Sequence, residues 1–208
     1  MRFPPVFIII VVVALFFKVF MSRSMKKYDP NAEFLALEKK ADSTPKKNID
    51  DLPYINVSSA ELPLDVPTEN EETKERQYNI RSLEGKKILN FTGVSNTELK
   101  LAYGAPNIYF LQSCDMNYTR LVQNLSRLAE DYLNEGHENE AKVLLEFGVS
   151  IGSDVKKNYT LLADIYQKSG ETEKISGLKE AARNINSLSK DGILKALESA
   201  APSQEPAS

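Results

Sequence analysis

The chain has 208 residues, with 26 Lys plus Arg, 29 Asp plus Glu, one His, one Cys and no Trp, a length that suits one modest domain with appendages. One cysteine excludes an intrachain disulfide framework and any Cys-rich zinc or iron–sulfur site, and one histidine excludes every two-histidine metal motif. Beyond residue 21 the chain carries 24 bases against 29 acids, which argues against non-specific nucleic-acid binding, a process that needs cations to neutralise phosphates.

The first element is apolar. Val6 to Phe17 reads VFIIIVVVALFF, and residues 3–21 are interrupted only by Pro4, Pro5 and Lys18. Nineteen residues at about 1.5 Å each give roughly 28 Å, close to the hydrocarbon thickness of a bilayer. Both prolines fall in the first turn, where a missing N–H costs least, and the Lys18 stem can snorkel to the headgroups. Residues 1–21 are therefore predicted to be a single transmembrane anchor. The competing reading is a cleaved signal peptide; its basic start would be only Arg2 and the amino terminus, and Ser22-Arg23-Ser24 imitates the A-x-A cleavage pattern with an Arg inside it. Lys18, Arg23, Lys26 and Lys27 on the body side outnumber Arg2 on the other, so the positive-inside rule favours a cytoplasmic body at the cell membrane. Residues 23–47 hold seven bases and four acids, and residues 50–75 hold eight acids and only Lys74. A basic stretch nearer the surface with an acidic one beyond suits an anionic leaflet on that side, and equally suits an ordinary solvated charge mix.

Residues 22–67 contain Pro30, Pro45, Pro53, Pro63 and Pro67 and no glycine. Prolines at this spacing interrupt helices and central strands, so the stretch reads as a mostly extended tether, with a short helix allowed at residues 32–41 and packing allowed at residues 54–57. In 68–93, Thr68 and Glu71 make a capping-box start and Gly85 a stop. Apolar residues are sparse there (Tyr78, Ile80, Leu83), which predicts a marginal or surface-lying helix. Ser95 with Glu98 repeats the capping signal, Gly104 ends that helix, and Pro106 suits the first position of another. No further proline occurs until Pro202, so residues 94–200 form an all-α body, and residues 201–208, APSQEPAS, a disordered tail.

The body matches itself at a shift of 34 residues. Leu128-Ala129 falls on Leu162-Ala163, Tyr132 on Tyr166, Gly136 on Gly170, Leu144 on Leu178, and Gly148 on Ala182. Each unit is a helix, a polar glycine turn and a second amphipathic helix; in the second unit Ile175, Leu178, Ala182, Ile185 and Leu188 recur at spacings of three and four. Period and residue types resemble the tetratricopeptide repeat family over about two units in residues 122–188. In that family the first helix carries a large residue (Leu125 or Tyr159), a Leu-small pair, an aromatic and a closing Gly. The second helix carries small, bulky and small residues (Ala141, Leu145 and Gly148 here). The chain departs in having no Trp, no Pro at the repeat end, where Ser153 stands, and Ile175 for the small residue of the second unit. Two units alone would expose apolar ends, so Ser95–Cys114 and Ser189–Ala200 are predicted to cap them.

No enzyme chemistry is spelled out. His137 opens H-E-x-x, but Ala141 occupies the fifth position, so the zinc motif fails and no metal or cofactor site is predicted. Phosphate-cradling glycine motifs are absent, and Cys114, among apolar neighbours, reads as a packing residue. The N-x-S/T sequons at Asn56, Asn90, Asn117, Asn124 and Asn158 read as incidental. The resemblance implies a groove lined by the first helices of successive units. Residues facing away from the Leu, Ala and Tyr set would be Gln123, Ser126, Glu130, Asn134, Lys157, Thr160, Asp164 and Lys168, with Glu130 and Asp164 stacked in register. Carboxylates where the family's tail-binding members carry Asn oppose an acidic peptide and suit a polar or basic one. The expectation is a single-pass membrane-anchored interaction scaffold or adaptor with an unidentified protein or peptide partner, not an enzyme and without a small-molecule substrate. The alternative is an exported chaperone-like or envelope-assembly factor using the same groove.

Overall fold

The computed structural model describes residues 30–200; the span predicted over 1–21 and the tail at 201–208 lie outside the described residues. Among the described residues the chain is all-α, with no strand and with no helix long and apolar enough to cross a membrane. Its helices are α1 (Pro30–Asp42), α2 (Glu71–Arg81), α3 (Asn96–Tyr103), α4 (Ile108–Asn134), α5 (Glu138–Ser150), α6 (Lys156–Lys168), α7 (Lys174–Arg183) and α8 (Lys190–Ala200). Helix α4 is 27 residues long because apolar side chains recur at three and four from Ile108 to Tyr132, giving one continuous buried stripe. α4 with α5 and α6 with α7 make two helical hairpins, and α4 also touches α6 while α5 touches α7.

The 34-residue correspondence extends to the backbone. Gly136 and Gly170 both have positive φ, +86° and +77°, the conformation glycine adopts without steric cost. Each closes its helix with the same long-range cap: His137 N–H donates to Tyr132 O at 2.7 Å, and Glu171 N–H to Tyr166 O at 2.8 Å. Burial repeats too. Leu125 and Tyr159, Leu128 and Leu162, Ala129 and Ala163, Tyr132 and Tyr166, Leu144 and Leu178, and Gly148 and Ala182 all lie in one core. Gly148 has a specific reason to be small. A Cβ there would sit 2.5 Å from Nδ2 of Asn158, which donates to Leu145 O.

The ends of this stack are closed in different ways. Helix α8 begins at Lys190, 34 residues after Lys156 begins α6, and packs on α6 with Ile193 and Leu197 fully buried. This end is capped as the sequence suggests. The other end is not closed by Ser95–Cys114, which forms a separate small core. There Leu89, Leu99, Ile108, Leu111 and Cys114 pack with Ile49, Leu52, Tyr54, Phe91 and Tyr103 around the first turns of α4. Helix α2 and the segment before it cover α4 instead. Thr73, Gln77 and Ile80 are buried, so α2 is a packed element rather than a surface-lying one. Its N-cap is Asn70, whose side chain accepts from Glu72 N–H at 3.0 Å, and it ends at Arg81 before Gly85.

The tether reading of 22–67 also changes. Ile55, Val57, Leu62, Leu64 and Val66 lie in or against the main core. Extended chain turns alternate side chains to one side, so I-x-V and L-x-L-x-V bury every second residue while the prolines, needing no ladder N–H, fit without loss. The Gln77 amide donates to Val66 O at 2.8 Å and to the Tyr132 hydroxyl at 2.9 Å, and that hydroxyl donates to Pro63 O at 2.7 Å. Leu188, assigned to the α7 stripe from its spacing, is fully exposed because α7 ends at Arg183.

Glycine substitutions test this packing. Gly177→Ala, mid-helix in open space, should stabilise the protein by about 0.5–1 kcal/mol. Gly170→Ala should destabilise it by about 1–2 kcal/mol through its left-handed backbone, and Gly148→Ala should destabilise it although helical. Urea unfolding midpoints check all three; equal shifts at Gly148 and Gly177 would show that the Asn158 contact constrains nothing.

Candidate functional site

Of the predicted groove residues, Glu130 on the first helix of one hairpin and Lys157 on the first helix of the other are in contact. Gln123, Asn134, Lys157, Asp164 and Lys168 are exposed, and Glu130 and Thr160 are half-buried. Ser126 is a correction: it is buried, because it stands four residues from Val122 and three from Ala129 on α4 and so joins the edge of the packing stripe. Its hydroxyl has no hydrogen-bond partner. Glu130 does not simply stack over Asp164. The Lys157 ammonium donates to both Glu130 carboxylate oxygens, at 2.7 and 2.9 Å, joining α4 to α6 across this face. The Thr160 hydroxyl turns back to Lys157 O at 3.2 Å.

Between the hairpins sits a charged node around Tyr166. Glu171 in the second glycine turn pairs with Lys142 of α5 and Lys174 of α7 and accepts from the Ser169 hydroxyl. Both ammonium groups lie over the Tyr166 ring, 5.4 and 5.3 Å from its centroid, and the Tyr166 hydroxyl donates to Glu146 at 2.8 Å. The hydrogen bonds from Lys142, then Lys174 and Ser169, hold the Glu171 carboxyl down at about 2. Burial acts oppositely on the core phenols; it pushes Tyr159 up to about 12 and keeps its hydroxyl a neutral donor to Ser153 O.

A second surface lies on the α5–α7 side and was not visible in the sequence. The ends of α5 and α7 and the 90–94 loop enclose a cavity of about 550 Å³ lined by Asn90, Thr92, Ser150, Asn184 and Asn186 over Val149 and Ile185. A neighbouring cavity of about 400 Å³ shares Asn90, Val94 and Ser150 and continues along Ile55, Leu89 and Phe91. No charged side chain lines either cavity. The loop is pinned there. Asn90 donates to the Tyr118 hydroxyl at 2.9 Å, and Asn186 donates to Gly93 O at 3.3 Å, where a Cβ on Gly93 would meet the Asn186 carbonyl at 2.1 Å. Amides above an apolar floor can pair with a peptide backbone and bury uncharged side chains. His137 stands in the turn before α5 with its ring edge-on to Tyr132, and Cys114 is a buried packing residue. Among the described residues no cluster of three His, Cys, Asp or Glu could hold a metal.

Comparison with known protein families, with curated proteins and with solved structures finds no match to this chain.

Two outcomes follow. Lys157 and Glu130 are exposed enough for solvent to screen their pair, so Glu130→Lys should shift stability by no more than about 1 kcal/mol in urea. Glu171 has a folded pKa below its unfolded value near 4.5, so its stabilisation is complete above that pH and is lost as pH falls toward 2. Glu171→Gln should lower the thermal midpoint at pH 7, and the difference from the unmodified chain should shrink as pH falls through about 2.

Proposed function

We propose that the chain is a single-pass membrane-anchored interaction scaffold whose body is a short tetratricopeptide-like stack. The supporting observation is the 34-residue recurrence of the same buried Leu-Ala-Tyr set and the same glycine cap in two hairpins, continued by α8 at the same interval. A stack of this kind leaves the outer faces of its first helices free of core duties, so Gln123, Glu130, Asn134, Lys157, Thr160, Asp164 and Lys168 form the partner surface. The apolar stretch 3–21 supports anchorage by its length and lack of acids. Anchorage raises the local concentration of a bound partner, so modest affinity at this face suffices. No catalytic residue is assigned.

Photo-crosslinking from position 168 in native membranes tests the face. Glu130→Lys with Asp164→Lys should abolish the cross-linked species; an unchanged pattern would remove the face from consideration. The side of the membrane follows from Ser208→Cys in intact cells with an impermeant thiol reagent, since Cys114 is buried. Labelling only after lysis assigns the body to the cytoplasm and to an adaptor, and labelling of intact cells assigns it to an exported chaperone-like or envelope-assembly role.

A further inference from the structure

Helix α1 does not hang free at the start of the body. Its last turns are fixed to α3: Ala41 is buried, the Thr97 hydroxyl donates to Glu38, and the Lys100 ammonium donates to Asp42 at 2.6 Å. Helix α3 has only eight residues, so the first half of α1 projects beyond it. That half carries Phe34, Leu35 and Leu37, which are 58%, 64% and 45% exposed. Phe34 stands one turn before Glu38, and Leu37 one turn before Ala41, so they continue the α3-facing side and remain largely exposed.

Charge and chain length say what covers this face. At 100° per residue, Leu37, Phe34 and Leu35 span an arc of about 160°. Asn31 lies within it in the first turn, and Glu38 and Asp42 lie within it only further along, where they pair with α3. Lys39 lies beyond one edge, and Glu33 and then Lys40 lie beyond the other. Apolar side chains exposed on the first turns, with Lys39 and Lys40 to either side further along, suit a helix lying in a bilayer interface, where lysine stems reach outward to phosphates. Only eight residues separate Met21 from Pro30, among them Arg23, Lys26 and Lys27. Eight residues reach at most about 29 Å when fully extended, so a chain anchored through 3–21 holds α1 within that distance of the headgroups.

We propose that α1 is an interfacial helix, with Phe34, Leu35 and Leu37 inserted among the headgroups of an anionic bilayer and Lys39 and Lys40 on its phosphates. This rests on the anchor reading of residues 3–21. The body is then docked to the membrane through α1 and α3 in a fixed attitude.

The test uses the full chain reconstituted in phosphatidylcholine–phosphatidylserine vesicles, with Cys114→Ala and a single environment-sensitive fluorophore on Leu35→Cys or, as control, on Ser176→Cys of α7. Flotation of the vesicles reports anchorage separately. The expected result is flotation of both proteins, with quenching by spin-labelled lipid several-fold stronger at position 35 than at 176. Adding Phe34→Ser and Leu37→Ser should reduce the quenching at 35 at least twofold without changing flotation or helical circular dichroism. Flotation with equal quenching at the two positions would overturn the interfacial helix and leave the anchor standing. Loss of flotation would overturn both. Disulfide formation between copies through Leu35→Cys, without quenching, would assign the face to a second copy and also overturn the proposal.

Discussion

A stack of two helical hairpins has two open ends, and everything else in this fold is arranged by the need to close them. Each hairpin buries one side against the other, which leaves apolar side chains at each end of the stack that water would otherwise meet. At the α6 end the solution is a further helix in the position the repeat itself prescribes: α8 starts one period after α6 and fully buries Ile193 and Leu197. Each such residue contributes about 1.5–3 kcal/mol by leaving water. At the α4 end no repeat is available. The chain closes it with α2 and two non-helical strips, Ile55–Val57 and Leu62–Val66, laid over the same core. Apart from a local turn in which Leu64 N–H donates to Leu62 O at 2.8 Å, the carbonyls of the Leu62–Val66 strip need partners from outside it. The Tyr132 hydroxyl and the Gln77 amide supply them at Pro63 and Val66.

That arrangement gives the aromatic position of the repeat a second task in the first unit only. Tyr166 points its hydroxyl at Glu146 and places its ring beneath Lys142 and Lys174, staying within the stack. Tyr132 uses the corresponding hydroxyl to hold a segment almost seventy residues away in sequence. Helix α4 is likewise shared. Its second half belongs to the hairpin, whereas its first turns organise the small core of Leu89, Leu99, Leu111 and Cys114 to which α3 and the 49–54 strip attach. At about 1.5 Å per residue it is a rod of roughly 40 Å running through both cores, so an orientation imposed at its start is transmitted to the hairpins at its end.

The repeat was legible in sequence because its chemistry is local and periodic: a Leu-Ala pair, an aromatic four residues after the Leu, and a glycine four residues after that. The capping box at Ser95 and Glu98 was legible for the same reason, and both of its reciprocal bonds form. The burial of residues 55–66 was not, since five prolines read as interruption and the two-residue alternation that signals extended packing was overridden by them. Ser126 was misplaced because it sits at the margin of a helical stripe, where spacing alone does not decide. The α5–α7 cavities depend on Asn186 meeting the 90–94 loop at Gly93 across more than ninety residues, and asparagines at loop ends carry no periodic signal.

The two outer surfaces of the stack differ in the one property that most controls what they can hold. The α4–α6 face presents Glu130, Lys157, Asp164 and Lys168, at most partly withdrawn from solvent, so whatever binds there exchanges ion pairs in high dielectric and is screened over a Debye length of about 8–10 Å. The cavities on the α5–α7 side are lined by amides and aliphatic carbons without a charged side chain, so binding in them would draw on apolar area and backbone hydrogen bonds, which salt leaves nearly untouched. One ligand that needed both surfaces would have to wrap the hairpins, whereas separate ligands could sit on them without competing. Salt dependence therefore identifies the surface in use: affinity falling steeply with ionic strength belongs to the α4–α6 face, and affinity indifferent to it belongs to the cavities beside Asn90.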